Sequence, residues 1–495
     1  MDGSVLPESE KEKYIKKYIC SLMLFFERIS ELFVYFSVMF RALHIDFCTN
    51  ICYTIFKTFF GGMNMYRKIT SFLQAWKENK HRKPLILQGA RQVGKTYSIL
   101  EFGRTHYENV AYFNFETNPK LNETFEENIS PDYLIPILSH IAGQTIVREK
   151  TLIVFDEVQL CERALTSLKY FCEDAPDYHI IVAGSLLGVA VNRTKFSFPV
   201  GKVDMKTLYP MDMEEFMLAL GEDDLVERIK KCFNTDTPLP SALHDAAMQL
   251  YRQYLVVGGM PECVMQFAQT KDYILVRHTQ DTILTSYLND MSKYNNLNEI
   301  KKTRLAYDNI TVQLSKKNTR FQYKLIKKGG RASEFENAIE WLCLSGIVSQ
   351  VYKVEQIKKP LENYRDIDAF KIYVSDLGLL CAKKDLAPND ILYMVEELND
   401  FKGGMAENYV NVQLTCNGYR TYYWESDRAA EIDFIIQRDG QIIPIEVKSA
   451  DNTKAKSLKV YMDTYKPAYA IKLSAKNFGF EDNKKTVPLY AAFCI

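Results

Sequence analysis

The feature that most constrains this chain is a short apolar run that ends in a glycine-bounded loop. The run at residues 84–88 is typical of a buried strand, and the loop after it fits the pattern GxxxxGK[ST] where a helical pattern begins. The loop consists of Gly89, Ala90, Arg91, Gln92, Val93, Gly94, Lys95 and Thr96. Glycines let backbone N–H groups wrap around phosphates, and the start of a helix adds a favourable dipole. The segment therefore predicts a phosphate-binding loop, and an ordinary strand–turn–helix is the alternative.

The loop residues predict ATP with Mg2+ as the bound species. The backbone of residues 89–94 is expected to bind phosphate oxygens. The Lys95 ammonium is expected to act catalytically on the β- and γ-phosphates, and the Thr96 hydroxyl to be a ligand of magnesium.

Two acids and a serine follow later apolar runs. Asp156 and Glu157 come directly after the run at residues 151–155, and Ser185 follows the run at 179–183. At a strand end beside the phosphate loop, Asp156 is expected to bind magnesium, and Glu157 to polarise the attacking water as a catalytic base. Ser185 is expected to sense the γ-phosphate, and a plain Gly-Ser turn is the alternative.

Apolar runs that alternate with helical patterns predict the fold class. Strands are predicted at residues 84–88, 110–115, 151–155 and 179–183. Strands separated by helices argue for an α/β fold with a three-layer parallel sheet. Beyond about Leu208 the pattern is mainly helical to about residue 300, and a strand pair is predicted near 346–354. A helix from about residue 403 precedes strands predicted at 419–424, 431–437 and 442–448.

Composition restricts the partners and the compartment. Lys+Arg and Asp+Glu both total 62, so the net charge is zero and any basic surface must be local. The 11 cysteines of the 495 residues form no CxxC pair. This cysteine usage fits a reduced, cytoplasmic protein and argues against a zinc site.

The first 64 residues form an apolar extension of a different character. Charged residues interrupt its apolar stretch at Glu27, Arg28, Glu31, Arg41 and Asp46. No window therefore reaches the roughly 18 uncharged residues of a spanning helix. We interpret the stretch as an extension outside the main fold, with a start at Met63 or Met65 as one explanation. A membrane-associated helix pair is the alternative.

Two apolar runs near the C-terminus carry acids and a lysine. Asp433 lies in the first run, Glu446 and Lys448 end the second, and Asp439-Gly440 between them predicts a hairpin turn. Alternate residues of a strand share a face, and strand pairing brings Asp433 near the other two. Two carboxylates and a lysine on one sheet face predict a metal site for phosphodiester hydrolysis. A salt bridge on a solvated surface is the alternative.

A basic segment lies in the middle of the chain. Its basic residues are Lys316, Lys317, Arg320, Lys324, Lys327, Lys328 and Arg331. Phe321 and Tyr323 are interleaved with them, and a helical pattern and a strand pair follow, as in a winged helix. The segment is the candidate DNA contact, and a solvated basic face is the alternative.

Several motifs together resemble one protein family. Residues 88–96, 153–159 and 182–188 resemble the AAA-type ATPase domain of a large prokaryotic ATPase family. The resemblance continues at residues 208–216, 258–262, 370–380, 407–410 and 422–426. In that family the ATPase is followed by a helical region, a winged helix and a C-terminal domain of unknown function that resembles a restriction-endonuclease fold.

The resemblance implies domain boundaries and further site residues. The implied domains are residues 65–207 (AAA-type P-loop ATPase), 208–300 (helical), 301–385 (winged-helix-like) and 386–495 (PD-(D/E)xK nuclease-like). Asp433, Glu446 and Lys448 occupy the nuclease signature positions, and Glu407 resembles the helper acid at the metal. Three arginines are candidates for trans activation, namely Arg163, Arg193 and Arg252. Lys202 departs from the family pattern, in which many relatives carry an arginine.

Three functional hypotheses remain open. The first is an ATP-driven machine acting on DNA, with metal-dependent cleavage by the C-terminal domain. The second is a regulatory switch in which ATP hydrolysis is slow and nothing is cut. The third is a remodeller of a protein partner. The family resemblance also implies a homo-oligomer.

Overall fold

A computed structural model describes residues 65–185, 187–191, 198–293, 297–314, 320–426, 430–449 and 456–495. Residues 65–495 belong to one compact unit. The predicted extension at residues 1–64 lies outside the described residues, and so do Arg193, Lys316 and Lys317.

A five-stranded parallel sheet carries the phosphate loop. Its strands are β1 (Leu85–Gln88), β2 (Asn109–Asn114), β3 (Thr151–Asp156), β4 (His179–Ala183) and β5 (Asp204–Thr207). They lie in the order β2-β3-β4-β1-β5, and every pairing is parallel. Successive residues point to opposite faces, and both faces are buried, since Leu85 and Leu87 join one apolar core and Ile86 another. The predicted α/β class with a parallel sheet is confirmed.

Helices cover both faces of this sheet. They are α1 (Ile69–Glu78), α2 (Lys95–His106), α3 (Leu121–Glu127), α4 (Pro131–Ala142), α5 (Glu162–Asp174) and α6 (Leu187–Val191). Helix α1 buries Ile69, Leu73 and Trp76, whose spacing places one side chain on the same face in each turn. Amphipathic periodicity therefore determines which face of α1 packs on the sheet.

A helical segment follows. Its helices are α7 (Met213–Ala219), α8 (Asp223–Thr235), α9 (Ser241–Val257), α10 (Pro261–Thr270), α11 (Tyr273–Lys293), α12 (Leu297–Leu314) and α13 (Ala332–Leu344). Helix α7 begins with a capping box, in which the Asp212 side chain accepts from the Glu215 N–H and the Glu215 side chain accepts from the Asp212 N–H. No helix in the described ranges has both the length and the apolar character needed to cross a membrane.

The second sheet has eight strands. They are β6 (Val348–Val354), β7 (Arg365–Val374), β8 (Tyr422–Glu425), β9 (Glu431–Arg438), β10 (Gln441–Val447), β11 (Ala470–Ser474), β12 (Gly479–Glu481) and β13 (Lys484–Pro488). The order is β12-β13-β11-β10-β9-β8-β6-β7. The accompanying helices are α14 (Leu377–Lys383), α15 (Pro388–Leu392), α16 (Asn399–Cys416) and α17 (Lys456–Tyr465).

The strand pair expected in a winged-helix-like domain lies in this same sheet. Strand β6 pairs in parallel with β8, which follows the predicted boundary at residue 385. That boundary therefore does not separate two sheets, because backbone hydrogen bonds run across it. Sequence periodicity predicted a strand pair near 346–354, whereas the structure has the single strand β6 there, and its antiparallel partner β7 is Arg365–Val374.

Asp376 joins two of the motifs noted in the sequence. Its carboxylate accepts from the backbone N–H of Gly259 at 2.6 Å and of Leu379 at 2.8 Å, which caps α14. A Cβ on Gly258 would lie 2.3 Å from this carboxylate, and Gly258 has a φ of +76°, so the position requires glycine. Burial raises the pKa of Asp376 to about 6, although its backbone donors act to lower it. A buried carboxylate thus links the helical segment to the second sheet.

The Asn408 side chain also links a helix to the second sheet, at the edge of that sheet. Its side chain donates to the Val374 carbonyl at 2.9 Å and accepts from the Val374 N–H at 2.8 Å. Strand β7 is an edge strand, whose free backbone groups would otherwise need another partner. The amide therefore fixes α16 against the end of β7.

We expect Asp376→Ala to lower the free energy of unfolding by about 3 kcal/mol, since it leaves at least two buried N–H groups without an acceptor. Urea unfolding followed by circular dichroism measures the change. Asp463→Ala is the matched control, because Asp463 is exposed on α17. Equal stability of the two variants would show that the Asp376 contacts do not support the fold.

Candidate nucleotide site and acidic cluster

The phosphate loop follows β1 and adopts backbone conformations that favour glycine. Gly89 and Gly94 have φ values of +148° and +90°. A Cβ on Gly89 would lie 2.1 Å from the Leu208 carbonyl oxygen, so that position also lacks space for a side chain. Gly94 is the N-cap of α2. The first N–H groups of α2 are therefore available at the loop, as an anion site requires.

Arg67 supports the loop from outside it. Its buried guanidinium donates to the Val93 carbonyl at 2.9 Å and to the Tyr209 carbonyl at 2.8 Å. The same group pairs with Glu215 at 3.1 Å. Sequence reasoning missed Arg67, because a lone arginine before a helix gives no local signal of a contact this distant in the chain.

Lys95 lies within the loop and is only 7% exposed. Its ammonium donates to the carbonyls of Gly89 at 2.9 Å and Ala90 at 2.8 Å. Burial lowers the pKa of Lys95 to about 8, although the nearby acids Glu157 and Asp156 act to raise it. The structure thus places the ammonium inside the loop.

Thr96 and Asp156 lie in contact. The Thr96 hydroxyl donates to Asp156 Oδ2 at 2.9 Å, and the Tyr112 hydroxyl donates to the same oxygen at 2.8 Å. Burial raises the pKa of Asp156. A hydroxyl beside a carboxylate supplies the hard oxygen ligands that Mg2+ prefers. Across the described ranges, however, no group of three or more acid, histidine or cysteine side chains could hold a metal ion unaided.

Glu157 and Ser185 also lie together. Strand β4 lies between β3 and β1, so Ser185, after β4, lies beside the acids that follow β3. The Ser185 hydroxyl donates to Glu157 Oε2 at 3.3 Å, and Gln159 Nε2 donates to the same oxygen at 2.5 Å. Two donors thus orient the Glu157 carboxylate. The contact of Ser185 is with Glu157, which the sequence did not predict.

Of the candidates for trans activation, Arg163 and Arg252 lie in the part of the chain that the structure describes, and so does Lys202. Arg163 donates to the Phe125 carbonyl at 2.7 Å. Lys202 pairs with Glu173 at 2.9 Å. Arg252 lies on α9 and is half-buried. None of these contacts assigns a trans-acting role.

The second candidate site lies on β9 and β10. These strands pair with Phe434 opposite Ile445, which places Asp433 beside Glu446. The Val447 N–H donates to Asp433 Oδ2 at 2.7 Å, and Lys448 Nζ pairs with Glu446 Oε1 at 2.5 Å. The structure therefore brings Asp433, Glu446 and Lys448 together.

Lys371 adds an ammonium group that the sequence analysis did not identify. It lies on β7, is 1% exposed, and pairs with Glu431 and, at 3.7 Å, with Glu407. The Tyr373 hydroxyl donates to Glu407 at 3.0 Å. Burial acts to lower the pKa of Lys371, yet the neighbouring Tyr373, Glu407 and Glu431 together raise it. A lysine within the otherwise apolar run at residues 369–374 was the available signal.

Burial also raises the pKa of two glutamates in this acidic cluster, which comprises Glu407, Glu431, Asp433, Glu446, Lys371 and Lys448. It raises the pKa of Glu407 to about 7 and that of Glu446 to about 7. For Glu446 the neighbouring Asp433 adds to the increase, and Lys448 opposes it. Both carboxyl groups therefore titrate near neutral pH, as acid–base or metal-binding groups often do.

The basic segment is exposed, but its aromatic residues are not free. Arg320, Lys324, Lys327, Lys328 and Arg331 are exposed. Phe321 stacks on Phe370 with ring centroids 5.6 Å apart, and the Tyr323 ring meets Phe321 edge to face at 5.3 Å. The two aromatic rings thus pack against other rings of the protein, whereas the five charged side chains face solvent.

Family models match three parts of the chain. Residues 81–217 match the model of an AAA domain. Residues 248–390 and 402–492 match two domains of unknown function, DUF8612 and DUF4143. Together with the parallel sheet and the loop geometry, the first match makes residues 81–217 similar to AAA-type P-loop ATPase domains.

Structural similarity is weaker. The chain resembles a Walker-type ATPase of Pyrococcus abyssi with 14% identity and a TM-score of 0.41, over 65% of this chain and 96% of that one. The ORC2 protein of Aeropyrum pernix is 11% identical with a TM-score of 0.33, over 68% of this chain and 94% of that one. The RuvB Holliday junction branch migration motor of Thermotoga maritima is 14% identical with a TM-score of 0.26, over 57% of this chain and 87% of that one. No curated protein matches the chain.

The lowered pKa of Lys95 predicts pH-dependent nucleotide binding. Bound phosphate favours the ammonium form and raises the pKa above 8, so ATP affinity stays constant below pH 8 and falls by up to about tenfold per pH unit above it. Calorimetric titration at pH 8.5 in buffers of different ionisation enthalpy measures the accompanying proton uptake. Lys95→Arg is the control, since a guanidinium stays protonated. Equal proton uptake by both proteins would contradict the assignment to Lys95.

Proposed function

We propose that the protein binds and hydrolyses Mg-ATP at the loop of residues 89–96. The observation that carries the proposal is the convergence of Lys95, Thr96, Asp156 and Glu157 at the ends of parallel strands. The loop backbone and Lys95 bind the phosphates, and this replaces the contacts that Lys95 makes with Gly89 and Ala90. Thr96 and Asp156 would hold Mg2+, which neutralises phosphate charge.

Glu157 acts on the attacking water in this proposal. Its carboxylate accepts a proton as the water oxygen bonds to the γ-phosphorus and the bond to the bridging oxygen breaks, which leaves ADP and phosphate. Ser185 and Gln159 orient the carboxylate. These residues thus serve the hydrolytic step and not nucleotide affinity.

The test separates binding from hydrolysis. Lys95→Ala is expected to abolish binding of ATP, as measured by calorimetry. Glu157→Gln is expected to retain ATP binding and to lower phosphate release by about 100-fold or more. Exposed Glu149 gives the matched control Glu149→Gln, which is expected to behave as wild type. A Lys95→Ala variant that binds and hydrolyses ATP like the parent would refute the proposal.

A second proposed activity is metal-dependent phosphodiester hydrolysis by the cluster on β9 and β10. It is favoured by Glu446 Oε2, which is buried without a hydrogen-bond partner among the described residues. A divalent cation held by Asp433 and Glu446 would satisfy that oxygen and activate water. Glu407, as the helper acid, would contribute only if its contact with Lys371 were exchanged for the metal. DNA held by the exposed basic segment is the proposed substrate.

The alternative for this cluster is a structural role within an ATP-dependent switch or a protein remodeller. Lys371 favours it, because its ammonium already neutralises acids that would otherwise attract a cation. Plasmid cleavage distinguishes the two accounts. Supercoiled plasmid is incubated with Mg2+ or Mn2+, with and without ATP, using wild type, Lys448→Ala and the exposed control Lys459→Ala.

Cleavage by wild type and Lys459→Ala, but not by Lys448→Ala, is the result expected of a nuclease. Intact plasmid together with DNA binding that weakens steeply with salt would instead support a non-cleaving switch. DNA binding that does not depend on salt would lack the expected phosphate contacts and would instead favour a protein partner.

A further inference from the structure

Arg91, within the phosphate loop, has a partner far along the chain. Its guanidinium pairs with Asp290 Oδ1 at 2.7 Å, and its backbone carbonyl accepts from the Tyr287 hydroxyl at 3.2 Å. Both partners lie on α11, one helical turn apart. Helix α11 therefore holds Arg91 through both the main chain and the side chain of that residue.

Asp290 is buried, whereas Arg91 is partly open. Asp290 is 3% exposed, and the Arg91 side chain is 35% exposed. The Arg91 charge acts to lower the pKa of Lys95, and the Asp290 charge acts to raise it. The carboxylate therefore acts on the space into which a triphosphate binds, although it lies on a helix nearly 200 residues further along the chain.

A bound triphosphate and Asp290 compete for the same cation. The triphosphate brings negative charge next to a buried carboxylate, and like charges repel strongly where water is excluded. Arg91 Nη1 is held at Asp290 Oδ1 at 2.7 Å, and a phosphate oxygen that draws the guanidinium toward the nucleotide would weaken that contact. Removing the Asp290 charge would end the repulsion and release Arg91. Both effects would increase the affinity for ATP.

We propose that Asp290 is a positioning residue that withholds Arg91 from the nucleotide, and that ATP binding breaks the Arg91–Asp290 pair. The proposal rests on the proposed nucleotide site. By linkage, the factor by which the pair weakens ATP binding is the factor by which ATP weakens the pair. The nucleotide thereby controls how firmly the end of α11 is held to the loop.

Helix α11 can transmit this change because its first half is anchored elsewhere. Gln280 donates to the carbonyls of Val256 at 2.8 Å and Val257 at 3.0 Å. The part of the helix that carries Tyr287 and Asp290 contacts the loop. Release therefore removes the charged contact between this end of α11 and the loop, whereas the other end stays fixed to α9, near the Gly259–Asp376 contact.

The experiment measures ATP and ADP affinity in Mg2+ by calorimetry for wild type, Asp290→Asn, Tyr287→Phe and Arg91→Met. Asp290→Asn keeps the side-chain shape and is expected to bind ATP about 5- to 50-fold more tightly, with a smaller gain for ADP. Arg91→Met is expected to lose more affinity for ATP than for ADP. Tyr287→Phe, which removes a loop contact without a charge, is expected to leave the ATP-to-ADP ratio unchanged.

Weaker ATP binding by Asp290→Asn, or affinity within twofold of wild type, would overturn the inference. Equal weakening by Asp290→Asn and Tyr287→Phe would also overturn it, since α11 would then only anchor the loop. Thermal unfolding of each variant verifies that it is folded. If wild type itself fails to bind ATP, the proposed function fails, and this outcome is distinct from an unchanged ratio in a protein that binds.

Discussion

The contact between the Arg67 guanidinium and the Val93 carbonyl shows how the phosphate loop is kept in shape. A loop with left-handed glycines has few backbone hydrogen bonds of its own, so its geometry depends on neighbours. Arg67 holds one side, and the Leu208 carbonyl occupies the space beside Gly89. The turn at Gly346 approaches Ala90 so closely that an added Cβ would lie 3.0 Å from its nitrogen. The loop is thus enclosed by segments from three regions of the chain.

These neighbours explain why the two sheets belong to one compact unit. An apolar core runs from the first sheet through the helical segment to the second sheet. Buried polar contacts give that core its specific alignment, since apolar packing alone is not directional. Asp376 fixes the loop at Gly259, and Asn408 fixes the end of β7. Gly259, Asp376 and Asn408, which belong to sequence motifs outside the nucleotide loop, thus have structural tasks that are visible in their hydrogen bonds.

The acidic cluster on the second sheet illustrates how burial and chemistry are connected. Burial of several carboxylates is costly unless cations or donors accompany them. Lys371 and Lys448 supply ammonium groups, and Val447 supplies a backbone donor to Asp433. The same balance that allows these acids to be buried keeps Glu407 and Glu446 near neutral pKa values. Their chemistry therefore depends on whether a metal can displace an ammonium partner.

The sequence by itself determined the features that depend on neighbouring residues. Apolar runs and glycine spacing predicted β1, the phosphate loop and α2, and the Asp439-Gly440 turn predicted the hairpin that brings Asp433 beside Glu446. Only the tertiary structure decided that Arg67 supports the loop, that Asp290 pairs with Arg91, that Lys371 enters the acidic cluster, and that β6 and β7 join the C-terminal strands. Periodicity and turn chemistry act over a few residues, whereas these contacts join side chains or strands that only the packing of distant elements brings together.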